Sequence, residues 1–168
     1  VVPGIVGIHF EGPHISPQKN GVHDARFIRP LAASDIARLT RSDLGVVVAT
    51  LAPECVDLDD IALLAAQGVI VSLGHSAVDF ERATAAFSAG ARAVTHLFNA
   101  MSGLHHREPG LAGAALARGF RGAAGVDAAV EFLERLSRLA VAGDGAVAQI
   151  ELNPVTVGNH GAVAVDAS

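Results

Sequence analysis

The stretch GVVVATLAPECVDLDDIALLAAQGVIVSLGH, residues 45–75, decides the fold. It begins with an apolar, β-branched run at 45–51 and continues through a helical pattern at about 57–67, which stops at Gly68. A second apolar run follows at 69–73. Continuous apolar strands that alternate with helices are typical of a parallel sheet covered on both faces. The stretch therefore predicts a βαβ unit of an α/β protein.

The same rhythm extends in both directions from this unit, and strands starting near 46, 69 and 92 recur about every 23 residues. The further predicted elements are a strand at 4–10, a long loop at 14–30, a helix at 34–43 capped near Ser34 or Asp35, a helix at 79–89 stopped by Gly90, and a strand at 91–95. After position 117 the pattern changes to a helix at 127–142 and two strands, 146–152 and 161–166, joined by turn residues. We therefore predict a domain boundary near 116–120, with domains at 1–117 and 118–168.

Length and composition exclude several classes of protein. The 168 residues are 51% hydrophobic with a net charge of −5, so the chain is neither disordered nor strongly basic, and we expect no nucleic-acid partner. No apolar run reaches the ~18 residues of a membrane span, and the single cysteine, Cys55, excludes an internal disulfide. We expect a cytoplasmic protein without a membrane partner. No signal peptide is visible. Because Met101 is the only methionine, the start looks like an excised or truncated segment.

Three side chains that could bind a metal stand at the ends of three predicted strands. Glu11, His75 and His96 each follow an apolar run. Because parallel strands end at the same edge of a sheet, sites assemble there. One carboxylate and two imidazoles suit a divalent ion that activates water and polarises a carbonyl. The alternative is that the histidines are hydrogen-bonded strand-end residues and Glu11 a helix cap. Zinc, iron and manganese all accept such ligands.

The segment 95–110 is a loop dense in polar side chains. Asn99 can donate and accept hydrogen bonds, and Arg107 can bind a phosphate or carboxylate through its planar guanidinium. His105 and His106 are adjacent in sequence, so at most one of them reaches a shared site. A solvated surface loop is the competing interpretation.

Residues 4–117 resemble the N-acetylglucosamine-6-phosphate deacetylases of the amidohydrolase superfamily. The resemblance rests on five motifs in the same order and spacing, namely GIHFEGPH at 7–14, KNGVH at 19–23, LAPE at 51–54, GHS at 74–76 and the block VTHLFNAMSGLHHREPG at 94–110. It implies a (β/α)8 barrel of the metal-dependent hydrolase type. Since a complete barrel takes ~250 residues, this chain would hold only part of one, followed by a small α+β segment.

The resemblance also implies an activity and a set of roles. It implies hydrolysis of the N-acetyl amide of N-acetylglucosamine 6-phosphate to glucosamine 6-phosphate and acetate, with Glu11, His75 and His96 as the ligands of a zinc, iron or manganese ion. Contacts with the amino-sugar phosphate would come from Val22 through its backbone, His23, Asn99, Ala100 and Arg107. The family's general base is an aspartate later in the chain, and nothing after Gly113 matches it. Asp166 only superficially resembles that aspartate. We expect the isolated chain to bind metal weakly and to have little or no turnover.

The tail, residues 118–168, resembles the C-terminal end of an ATP-grasp subunit of nucleoside-diphosphate-forming acyl-CoA synthetases. The motifs are ELNP at 151–154 and GAVAVDA at 161–167. In that family the residues matching Glu151 and Asn153 hold magnesium at the nucleotide phosphates, whereas the simpler interpretation is that they close a turn. Asp166 would then belong to the last strand of the tail.

Two rival hypotheses follow for the whole chain. The first is a nucleotide-binding or acyl-CoA ligase fragment led by the tail. The second is a non-catalytic remnant stabilised by self-association, since half a barrel leaves open sheet edges that a second copy could cover. For this reason we expect a homo-oligomer.

Overall fold

The computed structural model describes residues 6–119, 155–158 and 161–164. The first segment contains a four-stranded sheet with the order β1-β2-β3-β4. The strands are β1 (Gly7–Glu11), β2 (Val46–Leu51), β3 (Ile70–Leu73) and β4 (Ala93–Val94), and every neighbouring pair is parallel. The predicted parallel α/β sheet is confirmed.

The register gives the sheet two chemically different faces. Glu11 lies beside Thr50, and Thr50 beside Ser72, so these polar side chains share one face. The alternate residues point the other way and form the apolar core with the helices, as Ala49, Val71 and Leu73 do. Alternation along each strand thus separates a polar face from the core.

Helices α1 (Ala33–Leu39), α2 (Leu58–Ala66) and α3 (Phe80–Ser88) cover the apolar face. Helix α2 buries Ile61 and Leu64, which are three residues apart and therefore on one side of the helix. At the start of α3, the Asp79 carboxylate accepts a hydrogen bond from the Arg82 amide at 2.7 Å. Gly68 and Gly90 follow α2 and α3 with φ of 87° and 125°, a backbone conformation that favours glycine.

Several helices and loops in the structure have boundaries that differ from the predicted ones. The helix predicted at 34–43 is α1 followed by a short 3-10 helix at Ser42–Leu44, and the cap is Ala32 rather than Ser34 or Asp35. Asp35 lies inside α1 and accepts a hydrogen bond from the Ala32 amide at 3.1 Å. The loop at 14–30 contains two 3-10 helices, Pro17–Lys19 and Ala25–Phe27.

A fourth helix, α4 (Gly110–Gly119), was not predicted. It begins where the Ser102 hydroxyl accepts the Leu111 amide at 2.8 Å and the Glu108 carboxylate accepts the Gly110 amide at 3.0 Å. These caps come from the preceding loop, which explains why local propensity did not reveal the helix.

The chain divides into two compact units, Val1–Ala115 and Leu116–Ser168. In the second unit, β5 (Val155–Gly158) pairs antiparallel with β6 (Gly161–Ala164). The sequence predicts strands at 146–152 and 161–166, whereas the strand that pairs with β6 among the described residues is β5, which was expected to belong to the connecting turn. The residues 146–152, the predicted helix 127–142, Glu151, Asn153 and Asp166 lie outside the described residues. The predicted joint at 117/118 stays a prediction.

Within the described ranges, no helix combines the length and apolar character that crossing a membrane requires.

Candidate metal centre

Glu11, His75 and His96 converge at the carboxyl edge of the sheet. Glu11 is the last residue of β1, and the two histidines follow β3 and β4. The Oε1 atom of Glu11 lies 2.9 Å from Nε2 of His75 and 2.8 Å from Nε2 of His96. The two Nε2 atoms are 2.9 Å apart. Both imidazoles are buried, whereas the Glu11 side chain is partly exposed.

The other ring nitrogen of each histidine fixes its tautomer. The Nδ1–H group of His75 donates to the Lys19 carbonyl at 2.7 Å, and that of His96 donates to the Asn99 carbonyl at 3.1 Å. A carbonyl can only accept, so the single proton of each neutral ring is placed on Nδ1. Both Nε2 atoms then present lone pairs toward Glu11. Three acceptors facing one another at this distance repel unless a cation lies between them, and the donor set therefore fits a divalent ion.

The backbone at these ligands is strained. His75 and His96 have φ of 47° and 35°, and Phe98 and Ala100, in the loop after His96, have φ of 74° and 46°. Residues other than glycine adopt positive φ only where the surroundings impose it, and such residues cluster at functional sites. Positive φ thus occurs at two of the three candidate ligands and in the loop that follows His96.

Glu11 carries the negative charge of the site. Its carboxylate oxygen is the anionic ligand of the three and would balance part of the charge of a divalent ion.

A line of buried hydroxyls crosses the polar face beside the ligands. The Ser72 hydroxyl lies 2.8 Å from that of Thr95, which lies 2.7 Å from that of Thr50, and Thr50 lies 2.7 Å from Nε2 of His9. If Ser72 donates to Thr95, Thr95 to Thr50 and Thr50 to His9, every hydroxyl proton of the line has an acceptor. Burial, the largest influence, lowers the pKa of His9, which favours the neutral ring that can accept in this order.

The loop predicted to contact the sugar phosphate touches the metal ligands directly. The His23 ring packs edge-on against the His75 ring, with centroids 4.8 Å apart. Val22, beside it, is fully exposed. Asn99 and Ala100 follow His96, and the Ala100 carbonyl accepts the Ser76 amide at 3.1 Å. Val22, His23, Asn99 and Ala100 thus belong to the loops around the centre.

Among the described residues, no contact connects Arg107 with the candidate metal ligands or with the loops around them. Arg107 is exposed on the loop before α4 and makes no hydrogen bond or ion pair within the part of the chain described. His105 and His106 are also exposed, and their rings lie 4.4 Å apart.

Sequence reasoning missed the hydroxyl line and the contacts of Glu54. The signal for the hydroxyls was one Ser or Thr in or just after each of three apolar strands, at Thr50, Ser72 and Thr95. The signal for Glu54 was its position just after β2, at the edge where the ligands meet.

Comparisons with known proteins name one kind of enzyme. The chain is 51% identical over 116 residues to N-acetylgalactosamine-6-phosphate deacetylase of Shewanella sp. (strain ANA-3), a match covering 69% of this chain and 29% of that protein. It is 44% identical over 114 residues to N-acetylglucosamine-6-phosphate deacetylase of Homo sapiens, covering 66% of this chain and 28% of that protein. The chain thus spans less than a third of the length of these relatives. No protein-family model matches the chain.

Solved structures agree with the sequence matches. N-acetylglucosamine-6-phosphate deacetylase from Pasteurella multocida superposes with a TM-score of 0.64 at 37% identity, covering 69% of this chain and 31% of that structure. A mutant of the Mycobacterium smegmatis enzyme, solved in complex with N-acetyl-D-glucosamine-6-phosphate, gives a TM-score of 0.60 at 38% identity, covering 64% and 29%.

Proposed function

Because about two thirds of this chain is homologous to the N-acetylglucosamine- and N-acetylgalactosamine-6-phosphate deacetylases, we propose that residues 6–117 form the metal-binding part of such an enzyme. The reaction would be hydrolysis of the N-acetyl amide of a hexosamine 6-phosphate, which consumes one water and releases acetate and the free amine. The observation that carries the proposal is the convergence of Glu11, His75 and His96 on one point. The proposed fold is part of a (β/α)8 barrel, in which β1 to β4 are consecutive strands.

The residues would divide the work as follows. Glu11, His75 and His96 would hold a divalent ion, zinc in our proposal, with the histidine tautomers set by the Lys19 and Asn99 carbonyls. When bound, the ion supplies activation of water and polarisation of the acetyl carbonyl.

The loops around the ion would hold the substrate. His23 lies against His75, where it can orient the sugar, and the backbone at Val22 and Ala100 can hydrogen-bond to it. Arg107, exposed and without a protein partner among the described residues, would take the phosphate. In this proposal the same loops bind either hexosamine epimer, because the chain matches both an N-acetylgalactosamine- and an N-acetylglucosamine-6-phosphate deacetylase.

No general base is assigned among the described residues, and Asp166 lies outside them. We therefore propose that the 168-residue chain binds the ion and the sugar phosphate but turns over slowly. We also propose that the protein is cytoplasmic, on the basis of its composition alone. The ATP-grasp resemblance of residues 118–168 is unconfirmed and stays a prediction.

Zinc binding is the first test of the proposal. We expect the purified chain to bind one zinc ion in competition with a chromophoric chelator and His75→Ala to lose this binding, because two ligands cannot hold the ion as three do. His106→Ala is the matched control, since His106 is an exposed histidine outside the cluster. Equal zinc binding by the wild type and His75→Ala would contradict the proposed site.

Acetate release is measured in parallel with zinc-loaded protein on both N-acetylhexosamine 6-phosphates. We expect slow release that stops in His75→Ala. Rapid turnover by the chain would contradict the proposed slow reaction, and Asp166→Asn would then show whether Asp166 serves as the base.

A further inference from the structure

We propose that Glu54 is a positioning residue of the metal centre, which holds the His75 and His96 loops in their ligating conformation. The inference rests on the proposed metal site and adds to it a residue that is not itself a ligand. Glu54 follows β2, the one strand of the sheet that contributes no ligand, and is separated from His75 by 21 positions.

The Glu54 carboxylate makes two short hydrogen bonds to the turn after His75. The Ser76 hydroxyl donates to Oε2 at 2.6 Å, and the Ala77 amide donates to Oε1 at 2.6 Å. Both donors immediately follow the ligand. Hydrogen bonds to an ionised acceptor are stronger than neutral ones, so this pair restrains the turn firmly.

Ser76 connects the two histidine loops. Its amide donates to the Ala100 carbonyl at 3.1 Å, and its carbonyl accepts the Ser102 amide at 2.8 Å. Its hydroxyl, besides donating to Glu54, accepts the Val78 amide at 3.1 Å. The residue is fully buried. A restraint on Ser76 is therefore transmitted to the loop that carries His96 as well as to His75.

The backbone conformation at the ligands explains why such a restraint is needed. His75, Ala100 and His96 all have positive φ, which costs free energy unless surrounding contacts compensate. When the Glu54 contacts are removed, the turn after His75 is free to relax toward ordinary φ, which would rotate the imidazole away from Glu11. Glu54 would thus act on the ion through the histidines, as partners behind metal ligands commonly do.

Three variants test this inference. Glu54→Ala removes both hydrogen bonds, and Glu54→Gln keeps one, because its amide has a single acceptor oxygen. Glu81→Ala is the matched control. Glu81 is an exposed glutamate in the first turn of α3, and its substitution by alanine removes the same charge. The probe is the metal alone, either zinc in chelator competition or cobalt followed by visible absorption, at a temperature where circular dichroism shows every variant folded.

We expect zinc affinity to fall about 10- to 100-fold in Glu54→Ala, in line with other partners of metal ligands, and to an intermediate value in Glu54→Gln. Glu81→Ala should match the wild type. The cobalt spectrum of Glu54→Ala should change in band position or intensity, which a loss of stability alone would not produce.

Affinity and spectrum equal to the wild type in Glu54→Ala would overturn the inference. Should that variant fail to fold, Glu54→Gln decides: reduced affinity supports the inference and wild-type affinity overturns it. If the wild type itself binds no zinc through His75, the proposed metal site fails and this inference with it. If the wild type binds and Glu54→Ala binds equally, only the inference fails.

Discussion

At the scale of single residues, Asp35 shows how one buried charge is held. Its carboxylate accepts hydrogen bonds from Arg29 at 2.5 and 2.7 Å and from the Ala32 amide at 3.1 Å. Nε2 of His14 lies 3.7 Å away. The Arg29 guanidinium, against the opposing effect of burial, holds the pKa of Asp35 far below its ordinary value of 3.8. The stability that this carboxylate supplies is therefore present above about pH 3.8 and is lost as the pH falls toward the folded-state pKa.

Arg29→Gln should lower the free energy of unfolding at pH 7 and reduce its dependence on pH below about 4, because the buried carboxylate loses its main partner. Urea unfolding between pH 2 and pH 7 measures both effects. The control is Arg41→Gln, which breaks a pair with Asp43 in which both side chains are mostly exposed. Exposed pairs contribute little, so the control should lose several-fold less stability. Equal losses in the two variants would show that burial of Asp35 is not what matters.

The candidate ligands could be found from the sequence because each follows an apolar run and strand ends meet at one edge of a sheet. Glu11, His75 and His96 do lie together, while their role as metal ligands stays a prediction. The partners of these residues could not be found in this way. Whether Glu54 meets Ser76, or Lys19 meets His75, depends on loop conformations with positive φ that strand and helix periodicity does not encode.

At the scale of elements, the contact between α2 and α3 depends on one glycine. A Cβ atom on Gly90 would lie 2.7 Å from the Cβ of Ala65, closer than real Cβ atoms approach, whereas one on Gly68 would meet nothing within 4 Å. Both glycines have positive φ, so both resist substitution, but only Gly90 also lacks space.

Gly90→Ala should therefore destabilise the protein more than Gly68→Ala, with about 1–3 kcal/mol added by overpacking against α2. Thermal and urea unfolding of both variants measure the difference. Ala65→Gly in the Gly90→Ala background should recover part of the loss beyond the cost of glycine in a helix, and a double-mutant cycle isolates that coupling. A coupling energy near zero would contradict the close approach.

Elements with strong local signals were predicted, and those defined by distant contacts were not. The apolar runs of β2 and β3 and the stop signals at Gly68 and Gly90 match the structure. β4 is shorter than the predicted strand 91–95, although the Thr95 amide still donates to the Leu73 carbonyl at 2.9 Å, and the next residue, His96, has positive φ. Helix α4 begins with two glycines in four residues, which lowers helix propensity, and depends on capping by Ser102 and Glu108.

At the scale of the molecule, one edge of the sheet exposes apolar residues to solvent. Within the described ranges β1 pairs only with β2, and next to its free edge Val6 is 80% exposed and Ile8 is 40% exposed. An open edge with apolar side chains favours pairing with another chain. A second copy of this chain has the same edge. An antiparallel β1–β1 contact would therefore give the unpaired backbone N–H and C=O groups of both edges hydrogen-bond partners.

We therefore expect the chain to self-associate, with the weight-average sedimentation coefficient rising with protein concentration. Ile8→Lys should shift the protein toward monomer, because a lysine at the edge opposes strand pairing through charge repulsion. Leu63→Lys is the matched control, since Leu63 is 44% exposed on α2 and away from the edge. A wild type that stays monomeric at all concentrations, or a Leu63→Lys variant that dissociates as readily as Ile8→Lys, would contradict association through β1.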